Sequence, residues 1–336
     1  MQQKLTIAID AMGGDNAPEA TVEGAVRAAK NTNTKILLVG DKDKVKSELD
    51  KHNVSDLSIE IVSSEGKIED GESPALALRQ KSKSSILVST GLVKKGLADS
   101  VISMGSTGAS MAAAVVVLGT IDGIDRPAVG GPIIGSAPNQ IIMDLGSNID
   151  CKSTQLLGFG VLGSVFSELL LKVTNPKIGI LSVGSEEGKG NALTKETYSL
   201  FQKSDLNFIG NIEGNDLVTG KADVVVCDGF VGNIVLKLVE GLGKSLSHQL
   251  QNALTDKMSS KDIDSLVKNL SQKNNVTDEM GGGPICGVNG VSIVGHGNAT
   301  SKTIERAVDF ARMCIETKLI EKMGQRATKA MSTINQ

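Results

Sequence analysis

Short apolar runs, each ending in polar residues and glycine, alternate along this chain with segments in which apolar residues recur every three or four positions. The first pattern predicts buried strands and the second amphipathic helices. Ile7, Ala8 and Ile9 form the first run, Asp10 ends it, and Val22, Ala25, Val26 and Ala29 then recur at helical spacing. KILLVGD at 35–41 and IEIV at 59–62 follow, with a long helical stretch from about Ser73 to Lys95. The order of strand, glycine turn and helix returns at 99–119, 139–150, 177–196, 222–241 and 291–308. Such alternation predicts an α/β fold with a mostly parallel sheet covered on both faces. With no Pro/Ser linker and no charge run, a single continuous sheet and one domain over 1–336 are expected. Between about 243 and 283 the pattern changes: Leu246, Leu250, Leu254 and Met258, then Ile263, Leu266, Val267 and Leu270, predict two helices that add no strand and project from the body.

In each repeat the polar residues fall at the carboxyl end of a strand, the edge where open α/β sheets bind ligands. Several such ends are therefore expected to converge on one cleft. Gly13-Gly14 permits backbone geometry closed to other residues, Asp15-Asn16 offers an N-cap, and Pro18 fits the first helical turn. The helix amino end then presents unpaired N–H groups to a phosphate-sized ligand. Gly105, Ser106, Thr107 and Gly108 repeat this arrangement. In GSEEGKGN, 184–191, Glu186, Glu187, Lys189 and Asn191 follow a strand, and the flanking glycines let backbone and ammonium close around an anion. A solvated surface turn is the alternative. In DGFVGN, 228–233, Asp228 ends a very apolar strand, while Gly229, Gly232 and Asn233 enter a helix. The Asn233 amide suits an oxyanion or an N-cap. His296, between two glycines, suits general acid–base work or a structural turn. Asp10, Asp15, Asp144 and Asn148 line analogous edges, where they would hold a metal, a ligand hydroxyl or the backbone turns.

Composition removes several function classes. A formal charge of −3 and 2% aromatic residues leave neither a basic stripe nor stacking platforms, so nucleic-acid binding is not expected. No charged and apolar leader precedes the first strand, and no run of about 18 apolar residues is uninterrupted, which predicts a cytoplasmic protein. Cys151, Cys227, Cys286 and Cys314 lie far apart, and with His52, His248 and His296 they show no metal-ligand spacing. Reduced structural thiols, no metal and no cofactor are expected. GFGVLG at 158–163 matches a dinucleotide fingerprint by letters but sits inside a helical run rather than after a strand, so its glycines read as close helix packing. Gly243-Lys244-Ser245 resembles the end of a P-loop, but Leu238 stands where its first glycine belongs, and no G-x-S-x-G elbow occurs.

Taken together, the segments AIDAMGGDNAPEATVEGA, SPALALRQK, GTIDGIDRPA, NIDCKSTQLL, KGNALTKE, FIGNIEGNDL, KADVVVCDGF with GN, and GVNG with HGN resemble the PlsX family over nearly the whole chain. These are bacterial acyl-acyl carrier protein:phosphate acyltransferases of phospholipid synthesis. The resemblance implies a Rossmann-like three-layer α/β/α sandwich, akin to isopropylmalate dehydrogenase and phosphotransacetylase, in a homodimer. It implies that acyl-acyl carrier protein and inorganic phosphate yield acyl phosphate and free carrier, and that a membrane acyltransferase then uses the acyl phosphate to acylate glycerol 3-phosphate. Three segments depart from the family pattern: Ser106 stands in place of Asn, Gly-Ser-Asn at 146–148 replaces Gly-Ala-Asn, and GGGPICG at 281–287 replaces GGAPLLG. At 106 a hydroxyl, with the Gly105 and Gly108 backbone, is left to serve the ligand.

Phosphate is already nucleophilic and a thioester is activated, so the protein need only position both and stabilise a tetrahedral oxyanion. Lys189 and the glycine-rich helix amino ends are expected to neutralise phosphate, Asn233 to orient the thioester or donate to the oxyanion, and His296 to assist the departing thiol. The helices of 243–283 would meet the carrier protein, a second subunit or the inner membrane surface. A nicotinamide dehydrogenase with an acidic metal cluster and a non-catalytic carrier scaffold are the rival readings.

Overall fold

Ile7 and Ile9 on one face of Leu5–Asp10 (β1) and Ala8 and Asp10 on the other are all buried, so this strand belongs in the middle of a parallel sheet rather than at its edge. It pairs in parallel with a strand on each side. The structure is a computed structural model that describes residues 4–69, 71–255, 258–263, 265–267 and 279–334. The chain divides into two units, Met1–Pro127 with Met280–Thr328, and Ala128–Glu279 with Lys329–Gln336.

The first unit begins with β1, α1 (Glu19–Asn31), β2 (Thr34–Gly40), α2 (Lys42–Leu49) and β3 (Ile59–Ser63). It continues through α3 (Pro74–Gln80), α4 (Ser85–Lys94), β4 (Ser100–Ser103) and α5 (Thr107–Ala113), which runs on as a π turn over Ala114–Leu118. The second unit comprises β5 (Ala128–Gly131), β6 (Ile141–Met143), α6 (Ser153–Leu170), β7 (Ile178–Leu181), α7 (Ala192–Gln202), β8 (Phe208–Ile212), β9 (Val224–Val226) and α8 (Gly229–Leu254). The chain then returns to the first unit with β10 (Gly283–Cys286), β11 (Val291–Val294) and α9 (Ser301–Glu316), and ends in α10 (Leu319–Ile334).

Strand order is β3-β2-β1-β4-β11-β10 in the first unit and β5-β6-β9-β7-β8 in the second. All pairs are parallel except β10 with β11 and β5 with β6. In the first unit α1, α2 and α9 cover one face and α4 with α5 the other, so Ala8, Leu37 and Val39 pack towards α4. In the second, Ile142 and Val225 face a cluster completed by Val231, Val235 and Leu236 of α8, while α6 packs on the opposite face. Both units are thus α/β/α sandwiches with mostly parallel sheets, as the alternating pattern predicts.

Helix α6 is long and apolar enough to span a bilayer by length and composition, but 78% of it is buried in the protein, which makes it a core helix. Its GFGVLG glycines serve packing: a Cβ on Gly160 would stand 2.5 Å from the Phe201 ring, and one on Gly163 2.5 Å from Val224.

Three local expectations are corrected. The helical stretch from 73 to 95 is two helices, because the loop after β3 captures the backbone between them: Glu65 N–H donates to Lys83 O, and Ser85 N–H to Gly66 O. Neither Asp15 nor Asn16 caps α1. Pro18 takes the cap position without a side-chain bond, and Asn16 Nδ2 instead donates to Ala299 O at 3.1 Å. Finally, α8 does not start near 243 but runs unbroken from Gly229 to Leu254, carrying Leu246, Leu250 and Leu254 on one helix with Asn233. Met258, Ile263, Leu266 and Val267 follow it without adding a strand, and Leu270 lies outside the described residues.

Candidate functional site

In the first unit, parallel pairing of β1 with β4 sets Asp10 beside Ser103, whose hydroxyl donates to Asp10 Oδ2 at 2.7 Å. Met12 N–H donates to Asp10 Oδ1 at 3.2 Å, so the carboxylate organises the turn that follows it. A Cβ on Gly13 would stand 2.8 Å from both Asp10 Oδ2 and Gly105 N, and Gly14 has φ +102°, so this turn admits only glycine at both positions. Asp15 N–H donates to Gly297 O at 2.7 Å, which ties the β1 loop to the loop carrying His296. Ser106 accepts from Ala109 N–H and caps α5. The result is a cleft of about 410 Å³. It gathers Asp10, Gly13, Gly14, Asp15, Gly105, Ser106, Thr107 and His296, whereas Asn16 and Gly108 stand outside its lining.

Sequence reasoning misses Lys67, Glu69 and Ser110 on the same cleft wall. Lys67 Nζ lies 3.2 Å from Glu69 Oε2, and the buried Ser110 hydroxyl has no hydrogen-bond partner. The signal was present: Glu65-Gly66-Lys67 is another polar, glycine-bearing turn at the carboxyl end of a strand.

Burial raises the Asp10 pKa above its ordinary 3.8, against hydrogen bonds from Ser103 and the Met12 and Gly13 backbone that lower it. The folded chain then holds this proton more tightly than the unfolded one, so the Asp10 contribution to stability is complete below 3.8 and is lost as pH rises through the folded value. Asp10→Asn, which cannot ionise, is therefore expected to gain on the wild type as pH rises from about 4 to about 7. Melting temperatures measured at both ends of that range check this, and a constant difference between the two proteins would contradict it.

In the second unit the turn after β6 is built around Asp144, which is fully buried. Its carboxylate accepts from Gly146 N–H at 3.1 Å, Ser147 N–H at 3.0 Å, Asn148 N–H at 2.7 Å and Asn148 Nδ2 at 2.9 Å. These bonds make it the organiser of a backbone turn. Helix α8 starts directly on that turn: Gly229 N–H donates to Asn148 O at 2.7 Å, and a Cβ on Gly232 would stand 1.7 Å from Asp144 O. Asp228 caps α8 by accepting from Val231 N–H at 2.8 Å. Asn233, in the second turn of the helix, is therefore no cap; it is exposed and lies against Gly146.

The loop between β7 and α7 carries Lys189. Its stem folds over Gly184, and Lys189 N–H donates to Glu186 O at 3.0 Å. Among the described residues no carboxylate lies within ion-pair distance of its ammonium, and Glu187 beside it is exposed. Asn191 caps α7 through Thr194 N–H at 2.9 Å. Asn191 and Asp228 border a second, smaller cavity.

Burial disfavours the thiolate at both cysteines of this unit. Burial pushes Cys151 up to about 11 and raises Cys227 further. Among the described residues no three His, Cys, Asp or Glu side chains group to hold a metal ion.

The family profile described as "Fatty acid synthesis protein" matches residues 5–322. A protein named phosphate acyltransferase from Pelotomaculum thermopropionicum is 44% identical over 321 residues, 94% of this chain and 93% of that one. The chain belongs to the PlsX family. Another member, the phosphate acyltransferase of Clostridium acetobutylicum, is 42% identical across 96% of this chain and 98% of its own. Among solved structures, a phosphotransacetylase from Streptococcus pyogenes superposes with a TM-score of 0.61 at 18% identity, covering 96% of this chain and 95% of that one. At that identity the likeness establishes the fold that PlsX proteins share with it and leaves chemistry to the site itself.

Proposed function

We propose that this protein is a phosphate acyltransferase that converts acyl-acyl carrier protein and inorganic phosphate to acyl phosphate and free carrier. The observation that carries the reading is Lys189, a cation with no acidic partner among the described residues, on a glycine loop at the carboxyl end of a strand. Its ammonium neutralises phosphate, and a phosphate oxygen attacks the thioester carbonyl. The tetrahedral oxyanion takes a hydrogen bond from the Asn233 amide, the carbon–sulfur bond then breaks, and the thiolate leaves to take up a proton. In the first unit, the cleft of Asp10, Gly13, Gly14, Asp15, Gly105, Ser106 and Thr107 binds polar parts of the substrate, and His296 is its acid–base group. In the second, Asp144, Asn148, Gly229 and Gly232 hold Asn233 in place, and Glu187, Asn191 and Asp228 border the Lys189 loop.

Because no low-pKa thiol is available, transfer is direct. Carrier thiol is expected to be released only when phosphate is present, with no acyl group found on Cys151 or Cys227 by mass spectrometry. A stable acyl-enzyme formed without phosphate would contradict the direct route.

The reading includes a cytoplasmic homodimer that touches the inner membrane surface transiently to deliver acyl phosphate to a membrane acyltransferase acting on glycerol 3-phosphate. It is supported by a ridge on α8, where Phe230, Ile234, Leu238, Leu242 and Leu246 are all more than half exposed at four-residue intervals.

A further inference from the structure

The second unit contains a cavity of about 230 Å³ with mainly hydrocarbon walls. Leu156 of α6 and Ile180 of β7, at 2% and 1% exposure, form its floor. Leu193 of α7 and Val231 of α8 form half-buried sides, and exposed Asn191 marks the mouth. Protein interiors close such spaces unless something fills them, and an apolar hollow with a few polar groups at its opening is the usual form of a small-molecule site. The polar groups narrow the occupant. Asn191 and Asp228 both spend an oxygen on capping a helix, to Thr194 N–H and Val231 N–H, which leaves the Asn191 amide group and one Asp228 oxygen for the polar end of a ligand. Gly190 also lines the cavity, and its chain neighbour is Lys189. A ligand suited to this place carries an alkyl chain for the hollow and a polar head at the mouth, one residue along the chain from Lys189.

We propose that this cavity receives the substrate's acyl chain, with Leu156 and Ile180 limiting its depth and Leu193 guarding its entrance. The assignment rests on the acyltransferase reading and adds to it the residues that select chain length. Leu193 is partly exposed, so enlarging it narrows the pocket without disturbing the core. In Leu193→Phe, kcat/KM for palmitoyl carrier relative to octanoyl carrier is expected to fall about ten-fold against wild type, since a mismatch in an apolar pocket is felt at the scale of single methylenes. An unchanged ratio in an active enzyme would overturn the assignment.

A second measurement needs no turnover. The chain has no tryptophan, so Leu193→Trp introduces a single indole reporter. Octylphosphonate brominated at its chain end is expected to quench that fluorescence saturably, and plain octylphosphonate to reverse it. Absence of quenching would overturn the pocket. Quenching in a protein that makes no acyl phosphate would keep the alkyl site and refute the acyltransferase reading instead.

Discussion

Replacing Lys189 by alanine is expected to lower turnover about 100-fold, the scale on which removal of one positioned charge or donor acts when the transition state uses it more than the ground state does. The geometry gives this expectation its size. Some cations of this protein sit in surface pairs such as Lys51 with Glu48 or Lys83 with Glu65, where a partner already satisfies the charge. Among the described residues Lys189 has no such partner, and its backbone is fixed by the bond to Glu186 O and by Asn211 Nδ2, which donates to the same carbonyl at 2.8 Å. The loop is thus held while its ammonium stays available to an anion. Steady-state kinetics with saturating phosphate and acyl carrier provide the check. Lys189→Arg keeps charge but changes shape, so it should recover part of the loss. Near-normal turnover in Lys189→Ala would remove this residue from the mechanism.

The second large effect concerns stability. Gly232→Ala is expected to destabilise the protein by about 3 kcal/mol, at the upper end of overpacking costs, because its methyl would occupy the position of the Asp144 carbonyl oxygen. That contact is with backbone, and a change of rotamer cannot relieve it. The turn from Asp144 to Asn148 would have to move, displacing the surface on which Asn233 rests, so activity should fall as well. Gly241→Ala on the same helix is the internal control. Nothing lies within 4 Å of the Cβ it would gain, and it should stabilise the helix by roughly 1 kcal/mol through propensity alone. Denaturant unfolding of the two variants separates the cases, and equal midpoints would contradict the packing described.

The parallel α/β architecture was legible because each strand announces itself twice, by an apolar run and by the polar glycine turn at its carboxyl end. Asp10, Asp144 and Asp228 were each found at such a position. What they do there was less legible. The choice among metal ligand, substrate ligand and turn organiser depends on where nearby N–H groups point, and for Asp144 four donors from Gly146, Ser147 and Asn148 decide it. The break between α3 and α4 was hidden for a similar reason. Residues 81–84 carry no proline or glycine, and helix gives way only because Lys83 O and Ser85 N–H bond to the loop after β3. Asn16 looked like a cap by its position yet binds the carbonyls of Asn298 and Ala299, far away in sequence. Contacts of that range leave no local pattern. Lys67 lies in a turn with the right signature, but six residues separate it from the next helix, Pro74–Gln80, so the pattern of strand, turn and helix does not mark it.

The most direct test of the account is to incubate the protein with acyl-acyl carrier protein and isotopically labelled phosphate, then trap activated acyl groups with hydroxylamine and follow the label. Labelled acyl phosphate is expected to form in step with release of carrier thiol, and neither product without phosphate. Loss of the thioester with no label in an acyl product, or intact thioester after prolonged incubation, would contradict it.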